Sequence, residues 1–102
     1  MPAGSGRAER SPVTLTRAAT RDLDRIPYDT RRQVLKDIST LGGRPLDAPP
    51  RVRRLRGFGF PLYRLRSGPF RILYRFDEGT VTVMRVVDRR DLDRILKRLG
   101  FG

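Results

Sequence analysis

The sequence contains no cysteine and no histidine, and its only lysines are Lys36 and Lys97. Without cysteine there is no disulfide framework, no thiol chemistry and no cysteine metal site. Without histidine the commonest general base and the commonest metal ligand are missing, so neither a Ser–His nor a Cys–His triad can be assembled. No metal and no other cofactor is expected. No apolar run approaches the roughly 20 residues needed to span a bilayer. The N-terminus lacks the apolar stretch of a signal peptide. A cytoplasmic protein without a membrane partner is the expectation. The 102 residues suffice for one small domain with a modest core.

What the chain has in excess is positive charge: 23 basic against 11 acidic residues, a formal net charge of +12. Such an excess points to a polyanion, whether nucleic acid, an anionic surface or an acidic protein. The bases are almost all arginine, whose planar fork favours bidentate contacts to phosphate or carboxylate.

Residues 1–11 (MPAGSGRAERS) have no periodicity and read as a disordered tail, leaving 12–102 as a single domain. Val13–Thr16 is a β-branched run, and Thr16 can cap the helix that follows. Ala19, Leu23 and Ile26 recur at helical spacing, and Pro27 ends that helix. A second helix from about Tyr28 to Leu41 carries Val34, Ile38 and Leu41 on one stripe. Arg31, Arg32, Lys36 and Asp37 are expected to face water. Gly42–Gly43 closes the helix.

Residues 44–61 read as a long connection, broken by Pro45, Pro49, Pro50 and Pro61. It holds the densest basic run, RVRRLRG at Arg51–Gly57. Three strand-like segments follow: Leu62–Ser67, Phe70–Phe76 and Thr80–Val87. The turns between them, Ser67–Pro69 and Asp77–Gly79, make all three consecutive and antiparallel. Asp91–Leu99 then places Leu92, Ile95, Leu96 and Leu99 on one helical face. The order β-α-α-β-β-β-α gives an α+β class, with an antiparallel meander, an αα-hairpin on one sheet face and a C-terminal helix.

Alternation along the meander carries the functional argument. Tyr63, Leu65, Phe70, Ile72, Tyr74 and Phe76 share one face. Arg64, Arg66, Arg71 and Arg75 collect on the other. Like charges set across neighbouring strands repel, so stability alone does not account for them, whereas an anion-binding surface does. The facing of Thr80–Val87 is not fixed by its pattern. Arg89 and Arg90, just beyond it, either extend the cluster or balance Asp88, Asp91 and Asp93.

The helical hairpin broken at IPYDTRRQVL, the LRG of Leu55–Gly57, the block LYRLRSGPFRILYRFD (Leu62–Asp77) and TVTVMRVVDRRD (Thr80–Asp91) together resemble the RelE/ParE toxin superfamily. The similarity is to the RelE-type ribosome-dependent messenger-RNA endoribonucleases. The resemblance implies a microbial-RNase-like sheet with the helices on one face. It also implies metal-independent cleavage of messenger RNA in the ribosomal A site, the ribose 2′-oxygen attacking its own 3′-phosphate. By motif position, Arg64, Arg66, Arg71 and Arg89 would be catalytic, and Arg51, Arg53, Arg54, Arg56, Arg75 and Arg90 would bind RNA.

Many relatives end on a block close to G-H-R-R-D-V-Y. Here Asp88 stands at the His or Lys position and Asp93 at the Tyr position. Arginine is too weak an acid to serve as a base. Tyr63, Asp88 and Asp93 are therefore the chain's own candidates for proton transfer, beside water or a ribosomal group. The resemblance further implies a cognate acidic antitoxin in a toxin–antitoxin hetero-oligomer, with the ribosome and messenger RNA as targets. The last helix either completes the core or helps form the antitoxin groove. Two other readings are a non-catalytic ParE-like toxin that targets gyrase and a basic RNA-binding module without catalysis.

Overall fold

The fold is described from a computed structural model for residues 11–43 and 51–100. The expected tail, apart from Ser11, and the prolines at 45, 49 and 50 lie outside these residues. Ser11 is tied down, donating its backbone N–H to the Gly42 carbonyl at 2.6 Å.

The elements are β1 (Val13–Leu15), α1 (Arg17–Asp24), α2 (Tyr28–Thr40), β2 (Val52–Leu55), β3 (Leu62–Ser67), β4 (Phe70–Asp77), β5 (Thr80–Asp88), a 3-10 turn (Arg89–Asp91) and α3 (Leu92–Gly100). They form a five-stranded sheet in the order β1-β5-β4-β3-β2. The class is α+β, as expected. The meander β3-β4-β5 is antiparallel, and β1 joins β5 in parallel. The two meander turns follow from their residues. Gly68, at φ +56°, precedes Pro69, the glycine-first pattern of a II′ hairpin. Glu78 and Gly79 both take positive φ, as a I′ hairpin requires.

Two departures from the sequence reading matter for the site. First, the basic run is not all loop. Val52–Leu55 is an edge strand, antiparallel to β3, with Arg53 opposite Arg64 and Leu55 opposite Leu62. Its alternation is masked because both intervening residues are arginine and only Val52 is buried. Second, the helices do not share one face. α1 and α2 pack through Ala19, Leu23, Ile26, Val34, Ile38 and Leu41 against Leu65, Ile72, Tyr74, Val81, Val83 and Val86. α3 packs through Ile95 on the opposite face, over Leu62, Leu73 and Val87. The meander makes this possible because Leu73 and Leu62 sit among the arginines of that face. Half of the face is therefore apolar and needs a cover.

β5 lies between β1 and β4 and carries a bulge opposite Leu73/Tyr74. The extra residue shifts its alternation, so Val81 and Val83 are followed on the core face by Val86. β1 pairs only with Val81–Val83. Beyond it, α1 closes the edge of β5. Thr16 caps α1 by accepting from the Ala19 N–H at 3.0 Å and donates its hydroxyl to the Met84 carbonyl at 2.8 Å. Asp22 then accepts the Val86 N–H at 2.9 Å.

Candidate nucleic-acid interface

The open half of the α3 face is built from β2, β3, β4 and the 3-10 turn. Cross-strand pairing sets Arg53 against Arg64 and Arg66 against Arg71. Arg89 is delivered to the same end, because its backbone N–H donates to the Pro69 carbonyl at 2.9 Å and so ties the 3-10 turn to the β3–β4 turn. The hairpin thus collects Arg64, Arg66 and Arg71 as the alternation requires, with Arg53 added from the strand that the sequence did not reveal.

The electrostatics of this group differ from those of the rest of the chain. The five ion pairs among the described residues engage Arg51, Arg75, Arg85, Arg90 and Arg94. None engages Arg53, Arg64, Arg66, Arg71 or Arg89. Burial, then the charges of Arg53 and Arg66, pull the Arg64 guanidinium below the ordinary arginine value. Arg71 is lowered by burial and then by Arg64, Arg66 and Arg89, with Asp88 opposing weakly. The Arg64 Nε–H is buried and has no hydrogen-bond partner. A buried donor left unmatched costs about 1–3 kcal/mol. Arg71 alone is partly satisfied, donating from one Nη to the Gly68 and Phe70 carbonyls, both at 3.0 Å.

The remaining residues expected to bind RNA are spread out. Arg51 turns to the helix side, where it meets Asp37 at 3.4 Å and donates to the Arg66 carbonyl at 3.2 Å. Arg54 pairs across from Tyr63 and belongs to the other face of β2. Arg56 lines a shallow cleft with Leu55, Phe58, Asp93, Leu96 and Lys97. Arg75 is bonded to Asp77 at 2.9 Å and lies over the Phe60 ring at 4.6 Å. Arg90 is clamped to Asp88 by two side-chain bonds of 3.0 Å.

The three candidates for proton transfer are not brought to the arginines in a usable form. Tyr63 stands on the helix face of the sheet, stacked on Tyr74 with ring centroids 5.4 Å apart. Strand alternation puts it opposite its arginine neighbours. Asp88 accepts from the Arg90 side chain and backbone N–H, and those bonds hold its carboxyl at about 2, far below a useful base. Asp93 is exposed and lines the cleft beside Leu55 and Leu96.

Two functional supports escaped the sequence reading. Asp37, expected in water, is buried. It accepts from Ser67 Oγ at 2.6 Å and Gln33 Nε2 at 3.1 Å, and it faces Arg51. Asp22 is likewise buried and takes the Arg85 fork at 2.7 and 3.0 Å. That fork raises the Arg85 pKa, chiefly through the hydrogen bond. The signal was present in both helices. Asp22 lies three residues after Ala19 and Asp37 three after Val34, on the apolar stripe rather than the wet one. Among the described residues no group of three or more acidic, cysteine or histidine side chains could hold a metal, and no helix is long and apolar enough to cross a membrane.

The comparisons agree with this architecture. A family model for the ParE toxin of type II toxin–antitoxin systems, parDE, matches residues 13–93. A chain of the toxin–antitoxin complex RelBE2 from Mycobacterium tuberculosis is 30% identical, with a TM-score of 0.66 over 78% of this chain and 99% of that one. A chain of the RelE–RelB complex from Pyrococcus horikoshii OT3 is 24% identical, with a TM-score of 0.64 over 78% of this chain and 96% of that one. A chain of the chromosomal ParDE system from P. aeruginosa is 19% identical, with a TM-score of 0.53 over 78% and 97%. The last two similarities bear on the fold. No curated protein matches the chain. With its family match spanning both the helical hairpin and the meander, the chain belongs to the ParE toxin family, within the RelE/ParE superfamily of type II toxin–antitoxin toxins.

Proposed function

We propose that this toxin acts on messenger RNA in the ribosomal A site and cleaves it through the arginine face. The supporting observation is the cluster of Arg53, Arg64, Arg66, Arg71 and Arg89, none of which is in an ion pair among the described residues. In the proposed reaction the ribose 2′-oxygen attacks the adjacent phosphorus and the P–O5′ bond breaks. The products are a 2′,3′-cyclic phosphate and a 5′-hydroxyl. Arg66, Arg71 and Arg89 hold the phosphoryl oxygens as negative charge develops on them, the role in which fixed cations contribute most. The 2′ proton passes to water or to a ribosomal group, and the 5′-oxygen takes a proton from the same surroundings, because Tyr63 and Asp93 are placed elsewhere and Asp88 is held by Arg90. The reaction is metal-independent, and the site of action is cytoplasmic.

The partner in the resting state is a cognate antitoxin with an acidic segment. The neighbours from M. tuberculosis and P. horikoshii are toxin–antitoxin complexes, and a net charge of +12 suits an acidic partner. Primer extension on translated transcripts, after induction without antitoxin, should show cuts within A-site codons that vanish in Arg71→Gln. Intact protein with no cuts would overturn the reading.

A second reading, a non-catalytic toxin that poisons gyrase through protein contacts, is favoured by the ParE family match and by the absence of a proton-transfer group in the cluster. Loss of gyrase supercoiling activity on addition of purified toxin, with transcripts uncut, would select it. Salt-dependent RNA binding with neither effect would leave a binding module.

A further inference from the structure

We infer that the arginine face is a row of two anion subsites that grip consecutive phosphates of one single strand, with Arg53 of β2 forming the outer subsite with Arg64. The inference rests on the reading that RNA is the ligand. It goes beyond that reading by dividing the face and by giving the edge strand a binding role.

Register defines the row. Arg53 is directly opposite Arg64 on β3, and Arg66 is directly opposite Arg71 on β4. Arg64 and Arg66 are two residues apart on one strand and on one face, a step of about 7 Å. The two like-charged pairs are therefore offset along β3 rather than gathered around one point. Charge coupling follows the same line. Arg53 and Arg66 act on Arg64, whereas Arg64, Arg66 and Arg89 act on Arg71, and Arg53 is not among the charges felt there. Arg89 joins the inner pair through the Arg89–Pro69 backbone bond.

Like charges directly opposed on adjacent strands destabilise a sheet, and here the opposition occurs twice, with no ion pair at either among the described residues. One phosphate at the inner group leaves the charge of the Arg53–Arg64 pair uncompensated. A strand with a phosphate at each step compensates both pairs. The inner group, with three guanidinium groups, is the place for the reacting phosphate. The outer pair holds its neighbour, so Arg53 is a positioning residue.

β2 can serve this purpose because its start is locked. The Arg51 carbonyl accepts the Arg66 N–H at 2.9 Å, and the Arg51 guanidinium is held between the Arg66 carbonyl and buried Asp37. Asp37 is in turn fixed by Ser67 at the end of β3. This bracket sets the register that brings Arg53 to Arg64. Arg54, the next residue on β2, faces the other way and makes no ion pair among the described residues, so it is an internal control of equal charge.

The test is binding, not cleavage. Full-length toxin is titrated with 2′-O-methyl dinucleotides and trinucleotides, which carry one and two internal phosphates and no attacking hydroxyl. The second phosphate should tighten binding about tenfold, the scale of one charge-assisted contact. Arg53→Gln should abolish that increment and reduce the salt slope by about 0.7, the share of one phosphate contact on a single strand. Arg54→Gln should change neither and keep the wild-type thermal midpoint, and Arg53→Gln should leave the midpoint equal or slightly raised. The inference is overturned if the second phosphate adds nothing, if neither ligand binds, or if the two variants behave alike. Two-step binding without transcript cleavage would uphold the subsites while refuting the proposed reaction, so the two failures are distinct.

Discussion

The two faces of the sheet treat arginine in opposite ways. On the face covered by α1 and α2, buried Asp22 receives the Arg85 fork and buried Asp37 faces Arg51, each with further donors around its carboxylate. On the other face, α3 covers an apolar half, and the open half sets arginine against arginine with no ion pair among the described residues. The chain is not short of acids, with 11 in all. The five that form ion pairs among the described residues, Asp22, Asp37, Asp77, Asp88 and Asp91, engage arginines other than Arg53, Arg64, Arg66, Arg71 and Arg89. The first arrangement stabilises the toxin by itself. The second leaves a charge deficit that a partner's anions must supply.

The largest effect should come from removing an acid on the helix side. Asp22→Ala would leave Arg85 and the Val86 N–H without their partner at the end of β5 that extends beyond β1. Breaking a buried pair in this way costs about 3–5 kcal/mol, a large share of the roughly 5–15 kcal/mol that holds a domain of this kind together. Urea unfolding should show a strongly lowered midpoint. A midpoint close to wild type would mean that the helix side does not depend on its acids.

On the open face the comparison predicts the reverse pattern, loss of function without loss of stability. Arg71→Gln should lower transcript cleavage by about 100-fold, the usual cost of one charge-stabilising group. It should also leave the thermal midpoint equal or slightly raised, since a cross-strand repulsion is relieved. Arg32→Gln on α2, where Arg32 lies 6.0 Å from the Tyr28 ring, should do neither. Equal losses from Arg71→Gln and Arg32→Gln would remove the distinction between the faces.

Much of this contrast could be read before the structure. The period of two in Leu62–Arg75 named the core and arginine faces correctly, because each residue of a flat, paired strand has one choice of side. Thr16 as a cap, Pro27 as a break and both hairpin turns likewise follow from local chemistry. What could not be read depends on distant partners. β2 is a strand only because β3 offers it a register, and its own four residues carry too weak an alternation to show it. The facing of β5 was hidden by a bulge that resets the period after Val83. Asp22 and Asp37 looked like wet charges because acids on a helix usually are, although both sat at apolar-stripe positions. The proton-transfer candidates follow from residue type alone, whereas the fold turns Tyr63 to the helix face, leaves Asp93 beside Leu96 and ties Asp88 to Arg90.

A smaller test concerns how the helix side is closed. A Cβ at Gly42 would lie 2.6 Å from the Ser11 carbonyl oxygen, a backbone atom that cannot turn aside. Gly42→Ala should therefore loosen the approach of β1 to the end of α2 and cost about 1–3 kcal/mol by overpacking, measured by thermal denaturation. Cleavage at permissive temperature should survive, because the arginine row is remote from this contact.

The smallest effect is expected at Asp88. Its bonds to Arg90 lower its pKa from 3.8 in the unfolded chain to about 2. A carboxylate so depressed stabilises the fold above pH 4. The contribution disappears as pH falls through the window from about 4 to 2. Asp88→Asn should flatten the acid limb of a stability–pH curve in that window and leave the neutral-pH cleavage rate nearly unchanged. A large loss of cleavage would instead give Asp88 a part in proton transfer.

The central claim is that the open face carries uncompensated charge awaiting phosphate. Its most direct test is the thermal midpoint of the free toxin in rising inorganic phosphate at constant ionic strength, beside the Arg66→Gln/Arg71→Gln double variant. The wild type should start lower than the variant and climb with phosphate as anions bind the native state, while the variant stays flat. Parallel curves, or a wild type that ignores phosphate, would contradict the account.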